Sequence, residues 1–190
     1  MNVLLHACCG PCTLFPVRTL REEGHVVTAC FVNPNIHPYL EYERRVEAME
    51  AVSRLLSLSV LWDQGGYGLS LWLERVGTGL SSARCPSCYA LRLDRAAEMA
   101  RDQGFDAFTT TLLFSRYQDH GAIRQAGETA SARFGPPFLY RDFRVGWEDG
   151  NAAARDLGIY RQPYCGCVMS EAERYAKRAA RLMDRLRLTP

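Results

Sequence analysis

The sequence predicts an α/β fold, a single domain over residues 1–190 with a parallel sheet flanked by helices. Three observations predict it. Short apolar runs alternate with longer segments whose apolar residues recur at helical spacing. A length of 190 residues suits one core, and 47% hydrophobic with 23% charged residues is ordinary for a globular chain. No repeat, low-complexity tract or linker-like boundary divides the chain.

The elements follow in order. Val3 to Ala7 is an apolar run ending at Cys8, and Thr13 to Glu23 reads as a helix closed by Gly24. Val26 to Val32 is a second strand. It runs into Asn33-Pro34-Asn35-Ile36-His37-Pro38, where two prolines force an extended connection. Glu41 to Leu56 is helical through Val46, Met49, Val52, Leu55 and Leu56. Leu58 to Trp62 is a third strand, followed by a Gly-rich turn and a short amphipathic stretch, Leu69 to Val76. A long helix starts near Cys85-Pro86, with proline suited to its first turn, and ends at Gly104. Asp106 to Leu112 reads as a fourth strand, Asp119 to Phe134 as a helix and Phe138 to Tyr140 as a fifth strand. Helical segments near Trp147 to Leu157 and over Ser170 to Leu188 complete the chain.

Composition narrows the function. No stretch is long and apolar enough to span a bilayer. Met1-Asn2 lacks the basic start of a signal peptide, and His6 and the cysteines interrupt the first apolar run, so a cytoplasmic protein without membrane contact is expected. A net charge of +2 advertises no global field for nucleic acid. The C-terminal segment is nevertheless basic through Arg174, Lys177, Arg178, Arg181, Arg185 and Arg187, partly offset by Glu171, Glu173 and Asp184. A solvated helix face and an RNA-contacting face both fit it. Lys177 is the only lysine.

The eight cysteines say more. Reducing cytosol disfavours a structural disulfide framework, so clustered cysteines point to metal or redox chemistry. They fall as Cys8, Cys9 and Cys12; Cys85 and Cys88; Cys165 and Cys167; Cys30 sits alone in an apolar run and reads as core. In parallel sheets ligands bind beyond the carboxyl ends of the strands, where the Cys8–Cys12 loop, the Asn33–Pro38 loop and Leu113 to Gln118 all fall. Cys85-Pro86-Ser87-Cys88 lets two thiolates face one metal from a first helical turn, where free N–H groups favour thiolate. Together the two segments favour a four-thiolate site. Adjacent side chains tend to diverge, so Cys8 and Cys9 suit an iron–sulfur cluster better than one zinc. Cys165-Gly166-Cys167 can close a small, strained, easily reduced disulfide, supply further metal ligands, or be idle. No Gly-rich dinucleotide fingerprint and no phosphate loop is present.

The motifs together resemble the QueH family, the cobalamin-independent epoxyqueuosine reductases. The resemblance rests on Cys8-Cys9-Gly10-Pro11-Cys12 after His6-Ala7, on Asn33 to Pro38 with Glu41-Tyr42, and on Arg84-Cys85 through Cys88-Tyr89-Ala90-Leu91-Arg92-Leu93. It continues in Thr109-Thr110-Thr111-Leu112 with Ser115, Tyr117 and Gln118, in Asp142-Phe143-Arg144, and in Tyr160-Arg161-Gln162 with Tyr164-Cys165-Gly166-Cys167 and Ser170. These segments run in order over nearly the whole chain.

The resemblance implies a Rossmann-like fold related to the adenine-nucleotide α-hydrolases and a 4Fe-4S cluster on Cys8, Cys9, Cys85 and Cys88. It also implies a redox-active disulfide at Cys165 and Cys167. The reaction implied is the last step of queuosine synthesis, in which the epoxide of a tRNA wobble nucleoside becomes an alkene. Its partners are tRNA carrying epoxyqueuosine and an external electron donor. Cys12 either binds an additional iron or stays a free thiol. Gly10 stands where alanine is usual and is expected to loosen its loop slightly. Tyr117, Asp142, Arg144 and Tyr164 are candidate contacts for a flipped-out nucleoside; Asp142 and Arg144 equally suit a structural ion pair. His37 reads as a loop or supporting residue, and His6 fits either a structural or a ligand role. Two rival classes are a zinc-containing RNA-binding module and a thiol–disulfide oxidoreductase acting on proteins.

Overall fold

The computed structural model describes residues 1–79 and 83–187. Strand β1 (Asn2–His6) leads into α1 (Gly10–Glu22), β2 (Val26–Phe31), α2 (Tyr39–Leu56) and β3 (Val60–Trp62). Helices α3 (Leu69–Val76) and α4 (Arg84–Asp102) precede β4 (Ala107–Thr110); α5 (His120–Phe134), α6 (Trp147–Asp156) and α7 (Val168–Arg187) follow. The four strands form one parallel sheet in the order β3-β2-β1-β4. Val3, Leu4 and Leu5 are all fully buried. Successive strand residues point to opposite faces, so the sheet is covered by helices on both sides. Around it α1 packs on α2 and α4 on α5.

Several element ends differ from the sequence reading: β3 begins at Val60 rather than Leu58, and α2 at Tyr39 rather than Glu41. The fifth strand is a single parallel bridge, Phe108 to Phe138. Its neighbour β4 ends at Thr110, two residues before the expected Leu112, and gives way to a 3-10 turn over Thr111–Phe114. The Thr110 hydroxyl accepts from the Leu112 amide at 3.1 Å, which turns the chain and leaves no edge for a longer pairing. Helix α1 begins at Gly10 rather than Thr13, with Pro11 tolerated in its first turn. Helix α7 begins at Val168, and its expected end at Leu188 lies outside the described residues.

Gly10 does not loosen its loop. A Cβ there would stand 2.5 Å from the Ala48 carbonyl oxygen and 2.8 Å from its carbon, so glycine lets the start of α1 press on the backbone of α2. The close approach fixes the segment that carries Cys9 and Cys12.

Candidate metal and redox site

The carboxyl ends of β1, β2 and β4 form one rim, and buried hydrogen bonds lock their loops together. His6 spans the rim: Nε2 lies 3.1 Å from the Val32 carbonyl oxygen and Nδ1 2.7 Å from Thr110 Oγ1. A carbonyl only accepts, so Nε2 carries the proton. Burial, then the Arg92 charge, lowers the His6 pKa to about 3, so the ring is neutral and Nδ1 accepts from the Thr110 hydroxyl. His6 is therefore a structural clamp. Asn33 Nδ2 donates to the Ala7 carbonyl at 2.9 Å, and the Cys8 amide donates to Thr111 Oγ1 at 2.9 Å.

On this rim Cys8, Cys9 and Cys12 converge. Their sulfurs lie within 4.8 Å of one another, and Cys8 to Cys9 measures 3.9 Å. The expected divergence of adjacent cysteines is not what the backbone does. Three sulfurs about 2.3 Å from one ion would stand roughly 3.8 Å apart, so this spacing also admits a single metal. Hydrogen bonds from Cys12 and Cys9 hold the Cys8 thiol well below its usual pKa. Burial pushes Cys9 up to about 12, and the hydrogen bonds to Cys8 and Cys9 raise Cys12. Gln162 Nε2 donates to Cys9 Sγ at 2.8 Å, while its Oε1 is buried without a partner.

Cys85 and Cys88 lie on the first turn of α4, outside that close group of sulfurs. Burial raises both thiols, outweighing the helix N-terminus that was expected to favour thiolate. Trp72 Nε1 donates to Cys88 Sγ at 3.4 Å. One helical turn on from Cys88, the Arg92 charge lowers the pKa of Cys88 against the larger effect of burial, and it lowers that of Cys8 as well. The two halves of the expected ligand set thus share one guanidinium.

Cys165 and Cys167 have sulfurs 4.0 Å apart and are not bonded. Gly166 makes the turn between them at φ +137°, a left-handed conformation that favours glycine. Arg45 holds the turn from below, donating to the Cys165 carbonyl at 2.9 Å and the Tyr164 carbonyl at 3.1 Å. Cys165 is exposed, whereas Cys167 is buried in one apolar cluster with Cys88, Trp72 and Met169. The hydrogen bond from Cys165 lowers the Cys167 pKa to about 5, helped by the Ser170 side chain and amide in the first turn of α7. Cys165 moves the opposite way.

The other expectations divide. Cys30 is buried in the main core. Asp142 and Arg144 form an exposed ion pair, with Arg144 Nε 2.9 Å from Asp142 Oδ1. The Tyr164 hydroxyl is committed to the His37 carbonyl at 2.8 Å. His37 Nε2 donates to the Pro34 carbonyl at 2.9 Å, which makes His37 a loop brace. Tyr117 is 85% exposed beside the rim, its ring edge-on to Trp147. Sequence reasoning assigned no site role to Arg45, Trp72, Arg92 or Gln162. Arg92 and Gln162 did fall within the motif segments that carry the resemblance, and Arg92 stands one helical turn from Cys88.

The donor set suits an anionic, thiolate-held group. Arg92 is 3% exposed with no hydrogen-bond partner at Nε, a buried cation whose charge reaches Cys8 and Cys88. Among the described residues no helix is long and apolar enough to cross a membrane.

A family model described as Epoxyqueuosine reductase QueH matches residues 3–173. The chain is 38% identical over 187 residues to the epoxyqueuosine reductase QueH of Thermotoga maritima, a match covering 94% of each chain. It is 33% identical over 176 residues to that of Dehalococcoides mccartyi, covering 93% of this chain and 96% of that protein. With Acinetobacter baylyi the identity is 32% over 198 residues, covering 98% and 88%. A family match of this extent, carried by relatives of nearly the same length, means that the chain belongs to the QueH family of epoxyqueuosine reductases, an enzyme family.

Proposed function

We propose that the protein reduces epoxyqueuosine to queuosine at the tRNA wobble position, with a 4Fe-4S cluster on Cys8, Cys9, Cys85 and Cys88 and a dithiol at Cys165 and Cys167. The strand order supports a Rossmann-like fold of the adenine-nucleotide α-hydrolase type, read as a single domain. Cysteines clustered as ligands and a redox pair suit a reducing cytoplasm. Cys12 supplies a sulfur for one additional iron beside the cluster. When bound, such a cluster supplies one-electron transfer and a Lewis-acidic iron.

The observation that carries the reading is the position of Cys88. It shares Arg92 with Cys8 on one side and a buried cluster with Cys167 on the other. Converting the epoxide to an alkene takes two electrons and two protons and releases water. Oxidation of the Cys165–Cys167 pair to a disulfide supplies both electrons and the Cys165 proton; with Cys167 already a thiolate, the second proton comes from solvent. Reopening that disulfide fits the asymmetry of the two sulfurs: an external thiolate attacks exposed Cys165, and Cys167 leaves as the low-pKa thiolate. Arg174, Lys177, Arg178, Arg181 and Arg185 recur three or four residues apart on α7 and form one exposed stripe suited to tRNA phosphates.

The sulfur spacing of Cys8, Cys9 and Cys12 favours one second reading, a structural zinc in an RNA-binding module. Anaerobic purification separates the two. Brown protein with iron and sulfide, active on tRNA bearing epoxyqueuosine, is the expected result; colourless protein holding zinc and inactive on that tRNA rejects the proposal.

A further inference from the structure

Three arginines are buried among the described residues, and they differ in what neutralises them. Arg45 is paired with Glu41 at 2.7 Å, and Arg84 with Glu173 at 2.8 Å. Arg92, 3% exposed, has no carboxylate partner among the described residues. Its one direct bond to a protein oxygen is from Nη2 to Asn33 Oδ1 at 2.7 Å. The same Asn33 donates through Nδ2 to the Ala7 carbonyl, the residue before Cys8. Helix α4 brings Cys88 beside Arg92 at the i, i+4 spacing of one helix face. A charge removed from water without a counter-ion is strongly disfavoured, so a buried arginine that lacks a carboxylate needs other anions. The sulfurs of Cys88, one helical turn away, and of Cys8 both feel the Arg92 charge.

We propose that Arg92 is the fixed counter-cation of the thiolate site, a positioning residue that joins its two halves through Asn33 and raises the reduction potential of the group they hold. The inference rests on the proposed cluster but not on the tRNA reaction. Four thiolates leave a ligated iron–sulfur core net negative, and each added electron increases that charge. A fixed, water-excluded cation stabilises the reduced state more than the oxidised one. It also opposes repulsion between the thiolates of Cys8 and Cys88, which come from separate elements.

The test is an EPR-monitored redox titration of the anaerobically reconstituted protein, with iron and sulfide counted in each variant. Arg92→Met removes the charge with little change in volume; the expected result is retained iron and at least a tenfold loss in the equilibrium constant for one-electron reduction. That corresponds to about 59 mV in the negative direction. Arg92→Lys keeps the charge and is expected to stay near the wild-type potential. An unchanged potential in a fully loaded Arg92→Met protein overturns the proposal. If Arg92→Met holds no cluster, Arg92→Gln takes its place in the same titration. Loss of cluster in both neutral variants with retention in Arg92→Lys supports the counter-cation. Loss in all three overturns it, because shape and not charge would then be what the site requires. Wild-type protein that titrates normally but leaves epoxyqueuosine untouched would reject the proposed function alone; wild-type protein with no redox-active centre would reject both.

Discussion

The Cys8–Cys9–Cys12 group and the Cys165–Cys167 pair bring sulfurs to almost the same separation, 3.9 Å between Cys8 and Cys9 and 4.0 Å across the pair. Their backbones prepare them for different chemistry. The first group stands on the rim of the central strand, braced by His6, Asn33 and Thr111 and packed against α2 through Gly10. Cys9 is buried and Cys8 and Cys12 are partly buried, on backbone held by buried hydrogen bonds, which suits permanent ligands. The second group sits on a two-residue turn at the start of α7, with one sulfur outward and one inward. A short turn at a helix N-terminus can open and close a bond without disturbing the sheet. Under the proposed function, burial and backbone placement rather than sulfur spacing set the ligand set apart from the exchange pair.

The largest expected effect breaks the first site. Cys9→Ser should lose bound iron and all turnover, as measured by metal analysis and by product formation on tRNA. Cys167→Ser should keep the iron yet fail to turn over more than once, and equal iron loss in the two variants would erase the distinction. The pair also carries a pH signature. The folded Cys167 pKa of about 5 lies below its ordinary 9.0, so its ionisation stabilises the fold fully above that ordinary value. This contribution fades as pH falls through the folded value. Thermal unfolding of reduced proteins should therefore show a Tm gap between wild type and Cys167→Ser that is widest at alkaline pH and closes in acid.

The two glycines sharpen the comparison with a smaller effect. Gly10→Ala forces a Cβ 2.5 Å from the Ala48 carbonyl oxygen and should cost about 1–3 kcal/mol while reducing iron loading. Gly166→Ala places a Cβ 2.9 Å from Asn35 Nδ2 at φ +137° and should cost about 1–3 kcal/mol while leaving the iron in place. Denaturant unfolding and metal analysis check both. The smallest effect belongs to neither site. Charge reversal at Arg178 and Arg181 should weaken tRNA binding more at low salt than at high and reduce the salt slope by about 1 per lost phosphate contact. Unchanged binding would make the α7 stripe a solvated face.

Much of this arrangement is legible in the sequence. The alternation of apolar runs and helical segments gives the parallel sheet, and the rule that ligands gather beyond strand ends brings three distant loops to one rim. Cys85-Pro86-Ser87-Cys88 reads correctly as a first helical turn because proline belongs there. The fifth strand fails because a side-chain hydrogen bond at Thr110 ends its neighbour, a competition that apolar patterning does not register. Gly10 is misread for a similar reason: its partner is a backbone carbonyl 38 residues away in the sequence, on α2. Arg92 and Arg45 look like ordinary helix-surface arginines until the tertiary contacts bury them. Asp142 and Arg144, two residues apart, are the plain ion pair their spacing allows.

The central claim is that one cysteine group holds the redox centre while the other supplies the electron pair. A single-turnover reaction tests it most directly: reduced, anaerobically purified protein is mixed with tRNA bearing epoxyqueuosine in the absence of external reductant. Product is read by mass spectrometry of the nucleoside, and cysteine oxidation by differential alkylation. The account predicts one Cys165–Cys167 disulfide for each queuosine formed, with iron content unchanged. Queuosine formed while both cysteines remain thiols would contradict it.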